Sequence, residues 1–285
     1  VHLTIFACDF DGTLAEDGVV PAETWSALER AKDAGVTIIL VTGRSLDDLN
    51  DPQTPFSSLC EAIVAEDGAV VYFPRRDEVV LPFGHLADRF IDRLEGIPIV
   101  RGQAIVSTIT PHDEQVLQVV REAGGGVTVE YNRHAVMVLP PGATKGTGLV
   151  YALRELGYSP RNVVACGDAE NDMSLLDPVE LSVAVANAVD DLKVRADIVL
   201  TEPNGEGIRG LLDCLVAGTL PERHPRSERR LLLGHDESGA PVHLDPFMVA
   251  NSNIGVFGAS QSGKSWLAGL LAEEMLNKGY QIFIV

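Results

Sequence analysis

Apolar positions along the chain alternate between two periods. LTIFAC, VTIILV, VVACG, LSVAV and DIVL are short unbroken apolar runs, the pattern of strands buried on both faces. Between them lie helical patterns. PAETWSALERAKDAG sets Trp25, Leu28 and Ala31 on one face and stops at Gly35, and KGTGLVYALRELG ends at Gly157. NAVDDLKVRA and GIRGLLDCLVAG are further helices. AIVAEDGAVVYF reads as two extended segments around Asp67-Gly68, a hairpin signal. Strand and helix in alternation predict an α/β fold with a Rossmann-like, mostly parallel sheet.

The pattern changes between Pro82 and Pro140. FGHLADRFIDRLEG and PHDEQVLQVVREAG are helical, while IPIVRG, AIVSTI, VTVEY and AVMVLP are extended. Helix–strand–strand–helix–strand–strand predicts a small α+β insert with an antiparallel sheet. The expected division is therefore a core of residues 1–81 and 141–218, interrupted by an insert at 82–140. Residues 219–230, rich in Pro and Arg, read as a linker. From 231 to 285, LLLGHDESGAPVHLD reads as a hairpin, followed by strand, glycine loop, helix and strand in NIGVFGASQSGKSWLAGLLAEEMLNKGYQIFIV.

Composition narrows the classes. With 46% hydrophobic residues in 285, the chain can bury more than one core. No apolar run is long enough to cross a bilayer. The first residues show no basic region or small-residue cleavage site, so no secretory signal is expected, and the cysteine usage points to a reducing, cytoplasmic compartment. The formal net charge of −19 disfavours nucleic acid as a partner, since the one basic cluster is PERHPRSERR in the linker. The four cysteines form no C-x-x-C pair, which argues against a zinc site; Cys8 and Cys166 read as small buried residues.

The candidate chemistry sits where apolar strands end. Asp9 follows LTIFAC, Thr42 follows VTIILV and Asp168 follows VVACG. Ligands of open α/β sheets bind at the carboxyl ends of strands, so these three converge if their strands are neighbours. Asp9 and Asp11, two apart, point to one side of an extended segment. Their repulsion separates their protonation states, which suits an ionised nucleophile and a protonated acid. Asp168 and Asp172 add carboxylates, and an all-oxygen donor set favours magnesium. Thr42 offers a hydroxyl and the Thr42-Gly43 turn offers backbone N–H groups to a phosphate. Lys145 opens a helix, where its ammonium and the helix N-terminus can both face an anion. Singly, D-x-D-G is an ordinary strand-to-turn junction and G-D-A-E-N-D an ordinary helix cap. Together and in order they point to function.

FACDFDGTL, VTGR, TKG and GDAENDMSLL resemble the four motifs of the haloacid-dehalogenase superfamily. VAVANAVDDLKVRADIVLTEPNGEGI resembles its Cof-like branch, and the likeness covers residues 1 to about 218. The insert lies where that family places a cap. Its order resembles the small caps of sucrose-phosphate, trehalose-phosphate and mannosyl-glycerate phosphatases and of phosphomannomutase. The resemblance implies a phosphatase of small phosphomonoesters such as sugar phosphates, with Asp9 as nucleophile and Asp11 as general acid. It implies magnesium held by Asp9, the Asp11 carbonyl and Asp168, with Asp172 assisting. Thr42 and Lys145 would hold the phosphate, aided by Asn171. Substrate choice would lie in the cap, with Arg101, His112, Arg133 and His134 as candidate contacts; Arg44 would reach the substrate or pair with a core carboxylate. A phosphomutase is an alternative.

GASQSGKS matches G-x-x-x-x-G-K-[ST] after an apolar strand and before a helix, the setting that motif requires. Gly258, Gly263, Lys264 and Ser265 would then bind ATP phosphates and magnesium. The segment 231–285 resembles the start of a HerA/FtsK-type ATPase. IFIV is followed by no later strand to carry the acid of a complete module, so a piece of a longer fusion protein is expected, one that does not hydrolyse ATP alone. The alternative function is therefore a regulatory or accessory module of an ATP-dependent nucleic-acid machine.

Overall fold

The computed structural model of the chain describes residues 3–49, 54–124, 126–132, 135–220, 231–236, 238–244, 255–257, 263–278 and 280. The apolar runs pair into one eight-stranded sheet. Five strands lie side by side and parallel: β1 (Ile5–Cys8), β2 (Thr37–Val41), β3 (Ala62–Ala65), β10 (Val163–Gly167) and β11 (Leu181–Ala184). The short β12 (Ile198–Val199) extends the parallel edge. β4 (Val70–Phe73) and β5 (Glu78–Val80) turn back antiparallel at the other edge. The order is β12-β11-β10-β1-β2-β3-β4-β5. β1 thus runs between β2 and β10, which brings the three expected strand ends together.

Helices cover both faces, as buried parallel strands require. α1 (Ala22–Asp33) buries Ala27, Leu28 and Ala31, packs on α8 (Asn204–Ala217), and is followed by Gly35 at φ +93°. α5 (Lys145–Leu156) begins with a reciprocal cap. Thr144 Oγ1 accepts from the Thr147 N–H at 3.1 Å, and Thr147 Oγ1 accepts from the Thr144 N–H at 2.9 Å. α6 (Asp172–Leu176) follows β10, α7 (Asp190–Arg195) follows β11, and a one-turn α2 (Phe56–Leu59) precedes β3.

The insert forms a separate four-stranded sheet in the order β6-β7-β9-β8: β6 (Val100–Arg101), β7 (Val106–Ile109), β8 (Thr128–Asn132) and β9 (Ala135–Leu139), antiparallel throughout. One face packs on α3 (Asp88–Ile91) and α4 (Asp113–Glu122) through Phe90, Leu94, Val106, Val116 and Val138. The other face joins the main core through Ile105, Met137 and Leu139. FGHLADRFIDRLEG is less helical than its spacing suggests. One α-turn and a 3-10 turn replace a long helix, with Leu86, Phe90 and Leu94 buried in the core of the insert and Ile91 packed against it.

In the C-terminal segment, β13 (Leu231–His235) and β14 (Pro241–Leu244) form the expected hairpin, and α9 (Lys264–Asn277) is the expected helix. Of the strand read in NIGVF, only Gly255–Phe257 fall within the described residues, and they are not in a strand. IFIV lies outside the described residues. Tyr280 packs with Leu231 and Met275; its hydroxyl donates to Glu180 Oε2 at 2.5 Å, and Arg161 Nε donates to the Lys278 carbonyl at 2.6 Å. Among the described residues no helix is long and apolar enough to cross a membrane.

Candidate active site

Four segments meet beyond the carboxyl ends of β1, β2, β3 and β10. Asp9 continues β1, its N–H bonding the Cys166 carbonyl of β10 at 3.0 Å. Thr42 continues β2, its N–H bonding the Val64 carbonyl at 2.8 Å. Asp168 continues β10 and is fully buried. Lys145 opens α5 and is only 2% exposed.

The ammonium of Lys145 joins the strand ends. Its Nζ donates to Asp9 Oδ1 and to Asp172 Oδ1, both at 2.6 Å. The second oxygen of Asp172 accepts from the N–H groups of Asp168 at 2.9 Å and Ala169 at 3.0 Å, which fixes the turn after β10. Thr13 donates to Asp168 Oδ1 at 3.0 Å. Asp9, Asp168 and Asp172 each present an oxygen within 4.8 Å of the others.

Their charges oppose one another. Burial, then Asp172, push the Asp9 carboxyl well above the usual carboxylate range despite the pull of Lys145. Burial alone would lower Lys145, but Asp172, Asp9 and Asp67 outweigh it and hold the ammonium well above the usual lysine range. One cation thus serves three buried carboxylates. Asp9, Asp168 and Asp172 together offer hard oxygens that suit a divalent ion such as magnesium. Gly12 leaves room beside them, since a Cβ there would come within 2.5 Å of Asp168 Oδ2. This donor set fits the metal.

Asp11, unlike Asp9, is held from outside. Arg44 grips it with two hydrogen bonds of 2.7 Å and lies over the Phe10 ring at 4.6 Å. The bond to Asp11 is the main cause that raises the Arg44 guanidinium. Thr42 Oγ1 accepts from the Arg44 N–H at 3.1 Å, so the T-G-R turn is closed upon itself. Gly43 lies against Asp67, whose carboxylate oxygens are 3.3 and 3.4 Å from where its Cβ would stand.

Two acids that the sequence patterns passed over lie in the turn between β3 and β4, both at positive φ. Asp67 accepts from Asn171 Nδ2 at 2.9 Å, and its N–H bonds the Thr42 carbonyl at 3.0 Å. Among the described residues its Oδ2 and the Asn171 Oδ1 have no partner. Burial, the largest cause, raises its carboxyl. Glu66 turns toward the cap and accepts the N–H groups of Gln103 and Ala104 at 2.8 Å and of Ile105 at 3.2 Å. An acid pair between two apolar runs was the available signal, but Asp-Gly pointed only to a turn.

The core residues read from sequence are therefore together: Asp9, Asp11, Thr42, Gly43, Lys145, Asp168, Asn171 and Asp172. The cap residues are not. Arg101 stands opposite Val106, on the sheet face that meets the cap helices, and is exposed. His112 precedes α4. Arg133 and His134 lie outside the described residues, as does Gly258. Gly263, Lys264 and Ser265 stand at the start of α9, with Gly263 at φ +87°.

Residues 6–81 and 103–212 match the family model of the haloacid dehalogenase-like hydrolases. The chain belongs to that family. Residues 230–285 match the model of the central domain of the helicase HerA. Curated relatives include a phosphoglycolate phosphatase of Methanothermobacter thermautotrophicus, 33% identical over 71% of this chain and 94% of its own length. Another is phosphoglycolate phosphatase 2 of Saccharolobus solfataricus, 29% identical over 75% of this chain and 93% of its own. A Thermoplasma acidophilum protein shares the fold at TM-score 0.64 and 20% identity, covering 75% of this chain and 99% of that one. A subclass IIB sugar phosphatase does so at TM-score 0.61 and 20% identity, covering 76% and 100%. The haloacid dehalogenase-like part of the chain is a phosphatase.

Proposed function

We propose that the chain is a magnesium-dependent phosphomonoester hydrolase that acts on a small phosphorylated metabolite, a sugar phosphate, through an aspartyl-phosphate on Asp9. Residues 1–81 and 141–218 carry the chemistry and residues 82–140 form the cap. The observation that carries the reading is the Lys145 ammonium held between Asp9 and Asp172 beside Asp168, at the ends of neighbouring strands.

Asp9, Asp168 and the Asp11 carbonyl would hold magnesium, with Asp172 behind them; when bound, it offsets charge on the transferring phosphoryl group. Lys145, Thr42 and the Gly43 N–H take the remaining phosphoryl oxygens, aided by Asn171. Asp9 attacks phosphorus in line, forming its own P–O bond as the ester P–O bond breaks. The leaving alkoxide takes its proton from Asp11, which must first leave Arg44. Asp11 then accepts a proton from the water that attacks the aspartyl-phosphate, releasing inorganic phosphate and free Asp9.

The test is phosphate release from p-nitrophenyl phosphate and a panel of sugar phosphates, with magnesium and with a chelator. Magnesium-dependent release from both is expected. Release that is unchanged by the chelator would remove the metal from the proposal. A second reading, an accessory module of an ATP-dependent nucleic-acid machine that binds ATP at Lys264 and Ser265, is favoured by the HerA match at residues 230–285. Phosphatase activity that responds to ATP and DNA would support it.

A further inference from the structure

The register of the cap sheet decides which side chains look toward the phosphate. Directly opposed residues of an antiparallel pair share a face. Glu130 stands opposite Met137, and Met137 opposite Ser107. Met137 belongs to the main core, whereas Val138, opposite Val106 and Val129, belongs to the cluster under the cap helices. Thr128, Glu130 and Asn132 therefore lie on the face turned to the core, with Ser107. That face carries no basic residue among the described ones.

The cap is also fixed in place. Glu66 binds three successive N–H groups, from Gln103 to Ile105, and a Cβ on Gly102 would come within 2.6 Å of its carboxylate. Asp67, the next residue, faces the phosphate-side turn. Glu130 is half-buried, and the charges that bear on it are Asp67 and Lys145, from the loop after β3 and the start of α5. Its carboxyl is pushed up to about 7, by burial first and then by Asp67, against the pull of Lys145. It thus looks across at the phosphate-side groups.

We propose that Glu130 determines specificity by reading the far end of the substrate, accepting a neutral, hydroxyl-bearing group and disfavouring one with a second anion. This rests on the phosphatase reading above and names its substrate class. A carboxylate accepts hydrogen bonds from hydroxyls, whereas an anionic tail would meet Glu130 and Asp67 with like charge. Lys145, the buried cation whose charge bears on Glu130, is already engaged by Asp9 and Asp172.

The test compares two substrates of similar size, 2-hydroxyethyl phosphate and 2-phosphoglycolate, which differ in whether the far end is a hydroxyl or a carboxylate. kcat/KM is measured for both on the whole chain with magnesium between pH 6 and pH 8. Taking the ratio cancels the shared phosphate titration. The ratio should favour the hydroxyl substrate and rise about tenfold over that range as Glu130 ionises. In Glu130→Gln it should be flat. A flat wild-type ratio, or an equally steep one in Glu130→Gln, overturns the proposal; should the variant fail to fold, the wild-type profile decides. Lack of activity on both substrates and on p-nitrophenyl phosphate would overturn the phosphatase reading as well.

Discussion

Two sequences in the chain read as phosphate-binding, and the described residues around them differ. Around Asp9, four segments converge and every cation is engaged with an acid at 2.6–2.7 Å. At Gly263–Ser265, among the described residues, the helix packs through Met275 and Leu271 with Leu231, Leu244 and Tyr280, and Trp266 is 71% exposed. Both were equally legible as patterns. What the described residues add at the first is backing. A glycine loop sets backbone donors in place, but the neighbouring strands supply the low-dielectric wall and opposing charges that make those donors selective.

Removing the proposed nucleophile should have the largest effect. Asp9→Asn is expected to lower phosphate release about a thousandfold or more, and activity near wild type would end the contrast between the regions. Lys145→Ala should cost about a hundredfold to a thousandfold in kcat, because it removes a preorganised cation from the phosphoryl group. It should also lower the melting temperature, because buried Asp9 and Asp172 lose their shared partner. Glu66→Ala should raise KM for a sugar phosphate about tenfold, and more than it lowers kcat, since it loosens the cap and not the nucleophile. Amide exchange at residues 103–105 should quicken in parallel.

A pH series gives a smaller signal. The Glu130 carboxyl is held at about 7, above its unfolded value near 4.5. The folded state therefore binds the extra proton between those values, and stability is lost as pH rises through 7. Glu130→Gln should lack this loss, so its melting temperature should overtake that of the wild type between pH 5 and pH 8. The smallest effect is expected from the C-terminal segment: a non-hydrolysable ATP analogue should change p-nitrophenol release by less than about twofold. A larger change would show that the two regions communicate, through Arg161, Glu180 and Tyr280 where they touch.

The core was readable because its strands are continuous apolar runs and their ends carry the acids. Neighbouring β1, β2 and β10 turned three separate signals into one site. β5 was missed because Glu78–Val80 is a three-residue edge strand, mostly exposed, whose pairing depends on β4 alone. Glu66 and Asp67 were hidden for another reason. Their turn reads as Asp-Gly, and nothing in the local sequence tells which way each carboxyl faces. Glu130 is set by register, and a one-residue slip would have put Val129 or Tyr131 in its place. The cap arginine chosen from sequence, Arg101, is one strand position away from the face turned to the core.

Glu66 and Asp67 are consecutive, yet one carboxyl grips the cap and the other the phosphate-side turn. The grip on the cap is made entirely through main-chain amides. It therefore asks nothing of the side chains at 103–105. Ala104 and Ile105 are instead buried in the main core, so their side chains are held by packing while their amides are held by Glu66. Through the one step from Glu66 to Asp67, the backbone at 103–105 is therefore tied to the residue that accepts from Asn171 beside the buried acids.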